Sequence, residues 1–247
     1  MILIDKGSAW QQDVLAEPVQ SVPILNAACD RVRINRCTVR AGADWTPELY
    51  PRPGVTQMLV FLNAGGYVTT PAQAFPITEP SLFVPEFDKE AFTVHAGAQA
   101  LRCIQIVSQM NEEDCNQIKK SHMVFPRFRP FSQAWEHTMR PIDAPDSNTR
   151  GFVLIENRKL GANNMGFLRS DRPGASRVEE SVLEAYDQFI IGLEGADCTV
   201  FVRDEEASFR QGDVAFIPKG AAFRFQCGSE GRIHHVWYHL NRAYDAL

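Results

Sequence analysis

The chain has 247 residues, 45% of them hydrophobic and 22% charged, with a net charge of −5. That length can bury a large core and could hold one large domain or two small ones. The acidic balance gives no electrostatic case for nucleic acid or an anionic membrane, and no apolar run approaches the ~20 residues that span a bilayer.

Residues 1–30 read as an irregular lead-in that packs on a first barrel. From Arg31 onward short β-type runs dominate, among them Val32–Ile34, Cys37–Val39, Met58–Leu62, Ser81–Val84 and Cys103–Val107. Turn residues such as Gly42, Pro53-Gly54 and Gly65-Gly66 separate them. Short strands at this spacing argue for an all-β sandwich or barrel. Glu112 to Lys120 predicts a short helix. After it, Phe125-Pro126-Arg127-Phe128-Arg129-Pro130-Phe131 reads as a linker laid over apolar surface with its arginines turned outward.

The same order then recurs. Gln57-Met58-Leu59-Val60 is matched by Gln188-Phe189-Ile190-Ile191, Val84-Pro85 by Ile217-Pro218, and Ala91-Phe92 by Ala222-Phe223. A repeat of this length is a duplicated domain, because solenoid units run ~20–50 residues. The reading is a first barrel with its lead-in over 1–125, a linker over 126–150 and a second barrel over 151–247. Six cysteines (29, 37, 103, 115, 198 and 227) lack CxxC or zinc-type spacing and read as reduced, mostly buried thiols. Met1-Ile2-Leu3-Ile4-Asp5-Lys6 lacks the order of a signal peptide, so the expectation is a cytoplasmic protein.

Gly212-Asp213-Val214-Ala215-Phe216-Ile217-Pro218-Lys219-Gly220 is a turn, a buried strand and a second turn, followed by Ala221-Ala222-Phe223. This spacing resembles the second conserved motif of the cupins, which implies two tandem jelly-roll (double-stranded β-helix) barrels and, commonly, a homo-oligomer. A cupin's first motif supplies two histidines and a carboxylate to a metal, and its second motif a third histidine. Here Phe92 and Phe223 stand at the latter position, and neither Ala43–Gln57 nor Pro173–Gln188 contains a histidine. A phenyl ring has no lone pair to donate, so the expectation is that neither barrel holds the usual metal.

Pro173-Gly174-Ala175-Ser176, Phe189–Gly195, Gly212-Asp213 and the ending Trp237-Tyr238-His239-Leu240-Asn241-Arg242 resemble the (S)-ureidoglycine aminohydrolases, also called glyoxylate-induced proteins. The resemblance implies release of ammonia from ureidoglycine at a manganese ion in the second barrel. That family's Glu, His, His and Gln ligands fall on Glu180, Val182, Tyr186 and Phe223, so one of four is retained. Manganese is therefore not expected as a cofactor.

Glu180, Glu184, Tyr186 and Gln188 have even spacing and would share one face of a strand. Glu180, Glu184 and Tyr186 are the catalytic candidates, with Gln188, Phe223, His235, Trp237 and His239 as substrate contacts. Glu48, Arg52 and Gln57 are their first-repeat analogues, the arginine suited to a carboxylate. His235 and His239 lie about 13 Å apart on a strand and cannot chelate one ion. His95, His122 and His137 receive no role. Three readings stay open: an aminohydrolase-type enzyme on a small ureido or carboxylate metabolite, a metal-free isomerase or epimerase, and a non-catalytic small-molecule binding module.

Overall fold

The computed structural model describes residues 2–11, 17–50, 54–86, 90–137 and 148–243. In chain order its strands begin with β1 (Leu3–Asp5), β2 (Val19–Ile24), β3 (Val32–Val39), β4 (Asp44–Trp45), β5 (Val55–Phe61), β6 (Gly66–Thr69) and β7 (Ala74–Ile77). Next come β8 (Ser81–Val84), β9 (Thr93–Ala96), β10 (Leu101–Gln109), β11 (Arg127–Pro130), β12 (Trp135–His137), β13 (Thr149–Leu160) and β14 (Asn163–Ser170). The last are β15 (Ser176–Val182), β16 (Tyr186–Gly192), β17 (Asp197–Val202), β18 (Glu205–Arg210), β19 (Val214–Ile217), β20 (Ala222–Cys227) and β21 (His234–Asn241). Among the described residues there is one α-helix, α1 (Glu112–Ser121), where the sequence predicts it. Asn111 and Asp114 form a capping box at its start. Among the described residues no helix is long and apolar enough to cross a membrane.

The chain divides into two compact units, residues 13–133 and residues 1–12 with 134–247. In the first, a six-stranded sheet ordered β11-β8-β5-β10-β3-β2 accompanies a four-stranded sheet ordered β4-β9-β6-β7. Its core is apolar: Val39, Leu59, Phe61, Val68, Phe83 and Phe92 pack with the thiols of Cys37 and Cys103. The second unit repeats the plan with a seven-stranded sheet, β1-β19-β16-β21-β14-β13-β12, and a four-stranded sheet, β15-β20-β17-β18. Its core draws on Leu168, Ile190, Val200, Phe209, Phe223 and Phe225. All ladders are antiparallel, so the alternation of apolar and polar residues decides which side chains enter each barrel.

The unit bounds differ from those expected at both ends. Leu3–Asp5, expected to join the first barrel, pairs with Val214–Phe216 of the second unit. The tie is chemical as well as geometric. The Gly7 amide donates to Asp213 Oδ1 at 2.7 Å, and Lys6 Nζ lies 3.1 Å from Asp213 Oδ2. A Cβ on Gly7 would overlap the backbone of Gln211 and Gly212, so glycine permits the approach. Nor is 126–150 a plain linker. Arg127–Pro130 pairs with β8 of the first unit, and Phe128 packs against Phe75 at 5.6 Å. Trp135–His137 pairs with β13 of the second unit, while residues 138–147 lie outside the described residues. Both segments pair with strands that would otherwise be open edges.

Candidate functional site

In the second unit β21 lies between β14 and β16, and its alternate residues His235, Trp237 and His239 share one face. Opposite them on β16 stand Gly192, Ile190 and Gln188, and on β14 Leu168, Gly166 and Asn164. Gly166 is required by this packing. A Cβ there would overlap both the Phe152 carbonyl oxygen and the Trp237 indole. The indole in turn stacks on His239 with ring centroids 4.6 Å apart.

These side chains surround a cavity of about 70 Å³ lined by Leu168, Val178, Ser181, Leu183 and Phe225 together with Gln188, Phe223, His235, Trp237 and His239. The walls are almost wholly apolar carbon. His235 is 1% exposed and lies between Phe225, at 4.4 Å, and the edge of Phe209, at 6.1 Å. Burial, with a smaller repulsion from His234, pushes its pKa down to about 3, so the ring is neutral near pH 7. Burial also lowers the pKa of His239, which keeps some exposure to solvent. Its Nε2 lies 2.8 Å from Gln188 Oε1. An amide oxygen only accepts, so this contact places the imidazole proton on Nε2. In contrast, His235 Nδ1 and Trp237 Nε1 are buried and have no hydrogen-bond partner. Buried polar groups are nearly always paired, and each unpaired one costs about 1–3 kcal/mol.

Five residues expected to contact a ligand (Gln188, Phe223, His235, Trp237 and His239) thus lie around one cavity. The expected catalytic carboxylates do not join them. Glu180 and Glu184 are exposed, and Tyr186 is half-buried, its ring 5.4 Å from His239 and its hydroxyl 3.3 Å from Asn157 Nδ2. The even spacing fails as a guide for two physical reasons. The β15–β20 register shifts between Val178 and Ser181, and the chain turns over 183–185 before β16 begins. Side-chain parity is reset at both places. Ser181, Val178, Leu183, Leu168 and Phe225 complete the lining. Sequence reasoning passed over them because nothing in a strand or turn residue of this kind marks it as a cavity wall.

In the first unit the places of Gln188 and Trp237 hold Gln57 and Gln105, whose amides are satisfied, while those of Phe223, His235 and His239 hold Phe92, Cys103 and Val107. Asn35 Nδ2 donates to Gln105 Oε1 at 2.8 Å, Gln105 Nε2 to Gln57 Oε1 at 3.1 Å, and Gln57 Nε2 to the Glu48 carbonyl at 2.9 Å. Glu48 itself is exposed, and Arg52 lies outside the described residues. His95 sits on the four-stranded sheet, bonded to Asp44 and Thr69, His122 caps α1, and His137 is exposed on β12.

No protein-family model matches the chain, and no curated protein matches it in sequence. Solved structures do. A Pseudomonas aeruginosa protein described as glyoxylate-induced superposes with a TM-score of 0.72 at 10% identity, over 92% of this chain and 81% of that one. Oxalate decarboxylase from Lactobacillus farciminis gives 0.67 at 12% identity, over 98% and 87%. Protein YlbA from E. coli gives 0.67 at 9% identity, over 97% and 90%. The fold is that of a two-barrel cupin. Identities this low carry the fold and nothing finer.

A cupin's metal does not fit the residues of this cavity. Of the positions to which the resemblance assigned the manganese ligands, Glu180 and Val182 are exposed, Tyr186 reaches Asn157, and Phe223 is an apolar wall. His239 Nε2 is engaged by Gln188, and His235 is packed between aromatic rings. Among the described residues no group of three or more His, Cys, Asp or Glu side chains could hold a metal ion.

Proposed function

We propose that the second barrel binds a small uncharged molecule of amide or ureido type without using a metal. One observation carries the reading: His235 Nδ1 and Trp237 Nε1 are both buried without partners on residues that line one cavity. An indole N–H needs an acceptor, and a neutral imidazole offers one donor and one acceptor. An amide or urea presents both kinds of group within a few atoms. A carboxylate is disfavoured, because no arginine or lysine lines the cavity and the buried imidazoles are neutral. Size is a further limit. About 70 Å³ falls short of the ~150 Å³ cavity that accepts benzene, which suits a ligand of few heavy atoms.

Urea, acetamide and N-methylurea, titrated calorimetrically and by Trp237-sensitive fluorescence against acetate, test this. Saturable heat with the uncharged compounds and none with acetate is expected. A response to acetate alone, or to none of them, overturns the reading. The aminohydrolase and Glu–Tyr acid/base readings lose support, since Glu180 and Glu184 stand outside the cavity. Ammonia release from ureidoglycine, with or without added manganese, is expected to stay at the uncatalysed background. Release above it would restore the aminohydrolase reading.

A further inference from the structure

Four of the six cysteines are buried, and they form two facing sets. Cys37 on β3 is the register partner of Cys103 on β10. Cys198 and Cys227 stand one step beyond the Thr199–Gln226 pair on β17 and β20, both turned into the second barrel. Antiparallel partners hold their Cα atoms ~4.5 or ~5.5 Å apart, and both values fall within the ~4.4–6.8 Å that a disulfide spans. Geometry admits both pairs; their surroundings separate them.

Cys37 belongs to a row that crosses the six-stranded sheet from its edge: Ser21 on β2, Cys37, Cys103 and Phe61 on β5. β2 is the outermost strand, and Ser21 is exposed with its Oγ 3.5 Å from Cys37 Sγ. The first thiol is thus fully buried but lies next to an exposed side chain of the edge strand. That strand contains Pro23, which cannot donate to a ladder, and edge strands open more readily than central ones.

We propose that Cys37 and Cys103 are an oxidisable dithiol, closed to a cross-strand disulfide by a peroxide that enters past the β2 edge. The Cys37 thiolate attacks one peroxide oxygen, an S–O bond forms, the O–O bond breaks, and the departing oxygen leaves as water after taking a proton. Cys103 sulfur then attacks the Cys37 sulfenic acid, an S–S bond forms, and the second oxygen leaves as water with the Cys103 proton. Both sulfurs are oxidised and the peroxide is reduced. The order follows from the environment. The Cys103 thiol, and then the Ser21 hydroxyl, lower the pKa of Cys37 against the effect of burial, while Cys103 is raised by the same hydrogen bond and by burial. At the other pair burial pushes Cys198 up to about 12 and also raises Cys227, so neither supplies the attacking thiolate.

The test treats the folded full-length chain with hydrogen peroxide, quenches it, unfolds it in iodoacetamide, and maps peptides without reductant. A Cys37–Cys103 crosslink, lighter by two hydrogens and reversed by dithiothreitol, is expected while Cys198 and Cys227 are alkylated. Alkylation of both Cys37 and Cys103 after treatment, or a crosslink at Cys198–Cys227 first, overturns the proposal. In Cys103→Ser, whose hydroxyl can still donate to Cys37 but cannot close a disulfide, the Cys37 sulfenic acid should persist and be captured by dimedone; no adduct would remove Cys37 as the attacking thiol. The wild-type map stands even if that variant folds poorly.

Discussion

The two barrels share a strand plan and differ in what fills it. Gln105 and Trp237 occupy matching places, opposite Leu59 and Ile190, as do Cys103 and His235, opposite Phe61 and Gly192. In the first barrel this region is closed by a chain of amides that consume one another's donors and acceptors. In the second, Asn164 Nδ2, His235 Nδ1 and Trp237 Nε1 on the corresponding sheet face are buried without partners, the last two on residues that line an apolar cavity. The difference teaches that a satisfied polar row rigidifies a core, whereas an unsatisfied one is retained at a cost that a ligand can offset.

The contrast can be broken by substitution. The largest effect is expected for Gly166→Ala, whose methyl group must displace either the Trp237 indole or the β13 backbone. A loss of about 3 kcal/mol in denaturant unfolding is expected, together with loss of urea binding. Gln105→Leu comes next. It strands the Asn35 amide and Gln57 Oε1 and should cost about 1–3 kcal/mol without affecting the second barrel's ligand response. His235→Leu should behave in the opposite way. It removes an unpaired buried group, so stability should stay within about 1 kcal/mol of wild type or rise, while binding is lost. Equal destabilisation by the two leucine substitutions would erase the distinction between the barrels.

A pH series sharpens the same comparison. The folded protein holds His235 with its pKa near 3, below the unfolded value of ~6.5. Depressing the pKa of a base means the folded state prefers the neutral form. The stabilisation is therefore complete above about pH 6.5 and lost as pH falls from there toward 3. Partly exposed His239 adds a weaker contribution of the same sign. His235→Leu should flatten this acid limb, measured by denaturant midpoints across the window; an unchanged limb would mean that His235 is not held neutral. The smallest effect belongs to Glu180→Gln and Glu184→Gln. Both side chains are exposed, and changes within about 0.5 kcal/mol, with binding intact, are expected from unfolding and titration.

The sequence by itself determined the two-barrel architecture, because strand alternation and turn residues are local and the repeat sets Gln57 against Gln188 and Phe92 against Phe223. It also determined that His235, Trp237 and His239 share a face, since parity holds along one uninterrupted strand. Parity failed at Glu180 and Glu184, where a register shift and a turn intervene. Only the tertiary structure decided which barrel Leu3–Asp5 joins, and which cysteines face each other, because β-pairing is non-local and spacing along the chain carries no record of it. The unpaired state of His235 and Trp237 was equally invisible: whether a buried nitrogen finds a partner depends on every strand packed around it.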